Sequence, residues 1–217
     1  MEIDLLKNYP QSKRDPHARQ DALTDEMRII ARQFGKDFFD GERLYGYGGF
    51  KYFSRFWQPV IPDFVQHFGL TKKAKVLDVG CAKGFMLYDF TQILPGVDIQ
   101  GVDVSEYAIE NAKEEVQSQL NVANAMHLPY EDNSFDVVFS INTVHNLERD
   151  DCGRALQEIM RVSKGKAFIT VDAYRNDIEK ERMFAWNLTA KTIMHVDEWK
   201  AFFKEVGYTG DYYWFIP

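Results

Sequence analysis

The stretch KVLDVGCAKG, Lys75–Gly84, decides the fold. Its first half is an uninterrupted apolar run around one acid, the texture of a strand buried on both faces. It runs without a spacer into the turn Gly80-Cys81-Ala82-Lys83-Gly84 and then into a helical pattern, FMLYDFTQIL at 85–94. Strand, tight turn and helix open a βαβ unit. The same punctuation continues downstream. IQGVDV (99–104) reads as a strand and SEYAIENAKEEVQSQL (105–120) as a helical stretch; FDVVFSI (135–141) is a buried strand, CGRALQEIMRV (152–162) a helix and KAFITVDA (166–173) another strand. Trp199, Phe202, Phe203 and Val206 mark one face of a last helix, which Gly207 closes before a final strand, DYYWFI (211–216). The alternation predicts an α/β fold: a doubly wound, mostly parallel sheet of six or seven strands with helices on both faces.

Upstream of this region the texture differs. Met27, Ile30, Ala31, Phe34 and Phe38 keep helical spacing, which predicts a helix from about Pro16 to Asp40. GERLYGYGGF (41–50) follows; its glycines forbid a stable helix, and FKYFSRFWQPVIPDFVQHF (50–68) is a second helical stretch. Two regions are therefore expected: residues 1–70, a helical, aromatic lid segment, and residues 71–217, the α/β domain. Of the 17 Phe, 11 Tyr and 4 Trp, ten fall between 34 and 57 and eight between 199 and 217. The aromatic excess thus belongs to the lid and the last helix and strand, where acceptor specificity and subunit contact are expected.

Composition excludes several classes. In 217 residues, 33 Asp plus Glu outnumber 26 Lys plus Arg, a net charge of -7, so nucleic acid is not an expected partner. Cys81 and Cys152 stand far apart without ligand spacing, which supports neither a disulfide framework nor a metal site. The polar start, MEIDLLKNYPQSKRD, lacks an apolar leader, and no window is long and apolar enough for a membrane span; a cytoplasmic protein without a membrane partner is expected.

The turn itself indicates a ligand. It gives G-x-A-x-G directly after Asp78, which fits the G-x-G-x-x-G pyrophosphate fingerprint poorly, and an acid ahead of the glycines suits a ligand that brings an ammonium group. Nineteen residues beyond Gly84, the second strand ends in Asp103, the spacing at which an acid holds ribose hydroxyls. A nucleoside with an amino-acid tail satisfies both observations, and S-adenosylmethionine is such a molecule.

On these residues the chain resembles the class I S-adenosylmethionine-dependent methyltransferases of the small-molecule-modifying group, whose fold is Rossmann-like. The resemblance runs from about Lys75 onward: VLDVGCAKG is similar to that family's first motif, GVDVS to its second-strand acid motif, and NAMHLPYEDNSFDVVFSINTVHNL (124–147) to its stretch through strand four. It implies that Asp78, Gly80 and Gly84, with Cys81 and Ala82 between the glycines, receive the methionine moiety. Asp103 would hold the ribose and Val104 would pack on adenine, with Asn124 accepting from the adenine amino group beside Ala125. Ser140, Ile141 and Asn142 would border the sulfonium. Ala82 and Asn124 depart from the usual Gly and Asp, and the family's usual two strands after the last helix are here only one, so the sheet has six strands or borrows an edge.

An acceptor that loses a proton needs a base, and His145, just past strand four, is the candidate catalytic residue; a role in ordering its loop is the alternative. Asp172, Tyr174 and Arg175 follow strand five, and Tyr45, Tyr47, Tyr52 and Arg55 belong to the lid; these are the candidate acceptor contacts, while His195 reads as a helix cap. The expected activity is methyl transfer to oxygen or nitrogen of a small polar metabolite, a sugar or natural-product intermediate, with S-adenosylhomocysteine as product and a homodimer as the expected assembly. The alternatives are a cofactor-binding protein with a regulatory role, and a nicotinamide-dependent dehydrogenase, which the glycine spacing disfavours.

Overall fold

The computed structural model describes residues 1–10, 23–46 and 50–217. Among the described residues seven strands form one sheet: β1 (Lys75–Val79), β2 (Asp98–Asp103), β3 (Leu120–Val122), β4 (Val137–Ile141), β5 (Ala167–Tyr174), β6 (Met194–His195) and β7 (Asp211–Phe215). Their order is β3-β2-β1-β4-β5, and every pairing is parallel. β6 and β7 share the outer edge of β5, β6 beside Ala173 and Tyr174 and β7 beside residues 168–172. The sheet also borrows from the amino-terminal residues: Glu2 bridges to Tyr212, and Ile3 N–H donates to the Tyr212 carbonyl at 3.0 Å.

Ten α-helices accompany the strands among the described residues: α1 (Asp25–Ala31), α2 (Lys36–Asp40), α3 (Ser54–Trp57), α4 (Ile61–Phe68), α5 (Phe85–Ile93), α6 (Glu106–Glu110), α7 (Glu114–Gln117), α8 (Arg149–Val162), α9 (Asp177–Trp186) and α10 (Val196–Glu205). Local chemistry fixes their ends. The Ser105 and Asn176 side chains accept from Ala108 N–H and Glu179 N–H at the starts of α6 and α9. His195 and Glu198 form a capping box on α10, in keeping with the cap role expected of His195. Gly69, at φ 62°, closes α4.

Two helical expectations need correction. The helix expected over 16–40 is interrupted at 32–35, where Phe34 takes a left-handed φ of 50° and Gly35 starts α2 afresh; residues 11–22 lie outside the described part. Likewise 105–120 is two short helices, because Lys113 turns extended to donate its N–H to the Lys83 carbonyl at 3.0 Å. Gln117 Nε2 then donates to the carbonyls of Ile109 and Glu110 at the end of the first of these helices. The periodicity did not resolve α9, β3 or β6.

Alternating strand residues feed cores on the two sheet faces. Leu77, Val79, Val138, Ile169 and Val171 meet Leu156 and Ile159 of α8 and Trp199, Phe202 and Phe203 of α10. On the other face Val76, Val137, Phe139 and Phe168 meet Phe64 and Phe68 of α4 and Leu87 and Phe90 of α5. Leu5 and α4 belong to this second core, so residues before 71 help to build the sheet's own packing. The sheet order reverses between β1 and β4, and the loops leaving their carboxyl ends diverge there into a crevice. No helix among the described residues is long and apolar enough to cross a membrane.

Phe64 is fully buried, with its ring 4.6 Å from Phe139 and 5.7 Å from Phe168. Phe64→Ala is expected to cost about 3–5 kcal/mol in urea unfolding. A loss below about 1 kcal/mol would contradict the place of α4 in this core.

Candidate functional site

The crevice opens into a cavity of about 1610 Å³, larger than the ~300–1,000 Å³ that usually houses one ligand. At one end is the turn after β1. Gly80 (φ 86°) and Cys81 donate their N–H groups to the Val102 carbonyl at 2.7 and 3.0 Å, folding the turn onto β2. A Cβ on Gly80 would sit 2.1 Å from Thr143 Oγ1, so any side chain there would collide with the loop after β4. Ala82 also lies in left-handed backbone, φ 49°, which costs an alanine about 1–2 kcal/mol. A compensating bond holds it: Ala82 N–H donates to Asp103 Oδ2 at 2.8 Å. Cys81 is buried and fills space beside Gly101.

Asp103 closes this end. Its Oδ1 accepts Ser105 N–H at 2.9 Å while its Oδ2 holds Ala82. The carboxylate is thus fixed in orientation, and its residue lines the cavity. Asp78 lines the cavity too and is buried, yet no hydrogen-bond donor reaches its carboxylate among the described residues. Burial, and then the negative charge of Asp103, push Asp78 up to about 8. An incoming ammonium would relieve both effects.

The remaining expected cofactor residues divide. Gly80, Cys81, Ala82, Val104, Asn124, Ala125, Ile141 and Asn142 line the cavity, Val104 with 56% of its surface exposed. Gly84, at φ 74°, is a step behind: it caps α5, and a Cβ there would lie 2.8 Å from Leu120. Asn124 Oδ1 is already engaged by Met126 N–H at 2.9 Å in a local turn. Ser140 does not reach the cavity; it is fully buried and its hydroxyl donates to the Val79 carbonyl at 3.0 Å, tying β4 to β1.

His145 is buried at the crevice wall, held by its own hydrogen bonds. Its Nδ1 accepts Asp172 N–H at 3.1 Å, which makes Nε2 the protonated nitrogen of the neutral ring, and Nε2 stands 3.5 Å from Asp172 Oδ1. The ring therefore has no free lone pair for a substrate proton, and burial lowers His145 to about 3. The expected base is in this arrangement a residue that fixes Asp172. Asp172 lines the cavity at the end of β5, its carbonyl accepts Trp199 Nε1–H at 3.0 Å, and burial raises its carboxyl to about 8. Asn146 Oδ1 is buried without a hydrogen-bond partner among the described residues, and Asn142, at φ 53°, exchanges hydrogen bonds with Thr170.

The expected acceptor contacts also separate. Arg55 and Arg175 line the cavity. Tyr52 does not: its hydroxyl donates to buried Asp89 at 2.7 Å, anchoring the chain before α3 to α5. Tyr174 packs edge-on against His195, and Tyr45 is half-buried away from the cavity wall. Tyr47 lies outside the described residues. Sequence reasoning missed Lys83. It is nearly buried and donates to both oxygens of Asp40 at 2.8 and 2.6 Å, and Tyr107 donates its hydroxyl to the same carboxylate. A lysine inside a glycine turn, opposite an acid some forty residues upstream, was the available signal.

These features fit a nucleoside bearing an amino-acid tail: an unpaired buried carboxylate, a turn with no room for a side chain, and an oriented acid at the end of β2. Residues 77–171 match the family model of a methyltransferase domain. Over this part, a little under half of the chain, it is similar to S-adenosylmethionine-dependent methyltransferases. The methyl donor of this methyltransferase family is S-adenosylmethionine. The methyltransferase GfsG of Streptomyces halstedii is 30% identical over 145 residues, covering 61% of this chain and 52% of that one. The demethylmenaquinone methyltransferase of Symbiobacterium thermophilum is 30% identical over 152 residues, covering 66% and 59%. The chain thus spans little more than half the length of these curated relatives. Among solved structures, the YcgJ protein of Bacillus subtilis shares the fold, with a TM-score of 0.54, 21% identity and coverage of 66% and 65%.

Because an ammonium favours ionised Asp78, binding of S-adenosylhomocysteine near pH 7 is expected to release a proton, and affinity to rise with pH towards about 8. Calorimetry in buffers of different ionisation enthalpy measures the release, and Asp78→Asn should abolish it. Persistence of the release in that variant would contradict the assignment. Without ligand the sign reverses: an acid whose folded pKa lies above its unfolded value binds more protons when folded, so its contribution to stability falls as pH rises from about 4 to 8.

Proposed function

We propose that the protein transfers the methyl group of S-adenosylmethionine to an oxygen or nitrogen of a small polar metabolite, such as a sugar or a natural-product intermediate. The observation that carries this reading is the pair of buried carboxyls lining one crevice: Asp78 beside the glycine turn and Asp172 near the end of β5. When bound, the cofactor supplies an electrophilic methyl on a sulfonium. Asp78 holds its ammonium and Asp103 its ribose hydroxyls, while Val104, Asn124 and Ala125 form the adenine wall. Ile141, Asn142 and Thr143 leave β4 beside the reacting centre.

Asp172 receives the proton that an O–H or N–H acceptor gives up. The His145 ring, fixed by Asp172 N–H and facing Oδ1, leaves Oδ2 for this task. A carboxyl raised to about 8 suits a base working near neutral pH. With cofactor saturating, kcat should rise between pH 6 and 8 and level off above, and Asp172→Asn should lower kcat about 10²–10⁴-fold with S-adenosylhomocysteine affinity retained. A flat profile, or a fully active Asn variant, would exclude Asp172 as the base.

The residues before 71 act as the acceptor's cover, with Phe50, Phe53, Phe56 and Trp57 all facing the cavity. The division at residue 70, a homodimer, a cytoplasmic place and the absence of a nucleic-acid partner belong to the same reading; the charge of -7 supports the last. The test is transfer of labelled methyl from S-adenosylmethionine into a fractionated metabolite extract. Label in the small-molecule fraction is the expected result. Label only in RNA or protein overturns the metabolite reading, and cofactor binding without label anywhere favours the regulatory alternative.

A further inference from the structure

We infer that the acceptor is amphipathic, an aromatic or otherwise apolar body carrying an anionic group, and that Arg55 reads the anion. This rests on the methyl-transfer reading above and narrows its acceptor to the natural-product kind, away from a bare sugar. With Asp78, Asp103 and Val104 assigned to the donor, the rest of the cavity has a distinct chemistry. Tyr9 sits 5.5 Å from Phe56 and 5.0 Å from Trp57, ring to ring, and across the opening Trp186 lies 5.8 Å from Phe215. All five rings line the cavity, together with Tyr213 of β7. Apolar walls of this extent are out of proportion to a bare sugar and suit a large apolar body.

The charges on these walls are unbalanced. Elsewhere in this acidic chain Arg28, Arg149, Arg154 and Arg161 each pair with a carboxylate, as the net charge of -7 would suggest. Arg55 does not. Its guanidinium lies over the rings of Phe53 and Phe56, at 5.5 and 5.0 Å, and no carboxylate comes within ion-pair range among the described residues. Arg32, also on the wall, donates Nε–H and Nη2–H to the Thr189 and Ala190 carbonyls and meets no carboxylate among the described residues.

The acids facing this space do not cancel the arginines. Asp172 is held towards its neutral form by burial, and Asp4 pairs with neither Arg32 nor Arg55 among the described residues, its Oδ1 accepting Leu6 N–H instead. A positive wall beside apolar surface attracts an anion and orients it, and a guanidinium matches the planar fork of a carboxylate or the oxygens of a phosphate. Stacking on Phe53 and Phe56 limits the guanidinium's freedom in advance, which lowers the cost of binding. Carboxylate and phosphate share this chemistry, and the test separates them.

The experiment uses the full chain saturated with S-adenosylhomocysteine and compares 2-naphthoate, 2-naphthyl phosphate and the neutral 2-naphthamide by calorimetry. At least one anion is expected to bind about tenfold or more tightly than the amide, as a charged hydrogen-bonded pair would provide; the tighter of the two names the anion. In Arg55→Gln the preference should fall to within about threefold at unchanged S-adenosylhomocysteine affinity, and Arg55→Lys should restore part of it. Equal binding of amide and anions, binding of none of the three, or a preference that survives Arg55→Gln would overturn the inference. Failure of S-adenosylhomocysteine itself to bind would instead overturn the donor reading, and the naphthyl series is then run on the ligand-free chain with the same criteria.

Discussion

The Asp103 carboxylate spans the two loops on which the donor end depends. One oxygen holds Ala82 in a backbone conformation that an alanine otherwise avoids, and the other holds the chain as it enters α6. Ser105 then passes the constraint on, capping α6 with its hydroxyl oxygen while donating to the Phe34 carbonyl in the amino-terminal segment. Lys83 makes a second link to that segment through Asp40, whose carboxyl is held low by the Lys83 and Tyr107 bonds against the opposing effect of burial. The glycine turn, the end of β2 and the break between α1 and α2 are therefore one mechanical unit.

The buried polar groups lining the crevice differ from this unit in being left open. Asp78, Asp172 and the orphaned Asn146 oxygen are buried without full compensation, a cost that a domain of marginal stability keeps where a ligand completes the bonding. Both acids stay near neutrality in the ligand-free chain.

Much of the fold could be read in the sequence because the central strands are buried on both faces and so are written as plain apolar runs. The donor residues around Asp78 and Asp103 could be read for a related reason: glycines and acids at fixed offsets leave few alternatives for the backbone. What stayed hidden depended on distant partners. Nothing local announces that Lys113 breaks a helix to reach the Lys83 carbonyl, or that Tyr52 turns to Asp89 and away from the crevice. His145 was visible as an ionisable side chain, but its lone pair is consumed by a backbone N–H twenty-seven residues away. Short edge strands such as β6 carry too few residues for a period to emerge.

The parallel direction of β7 has a consequence for how such a chain can change. Because it runs alongside β5, its last residues finish at the crevice, and Tyr213 and Phe215 become wall. Tyr9, Phe56 and Trp57 join them from before the matched domain, and Trp186 from after it. In the proposed reading, the surfaces that would meet the acceptor come from segments flanking residues 77–171, and the donor's contacts would lie inside them. Substitutions in the flanks can remodel one half of the crevice without disturbing the other, which lets a lineage explore new acceptors on an unaltered methyl-donor platform.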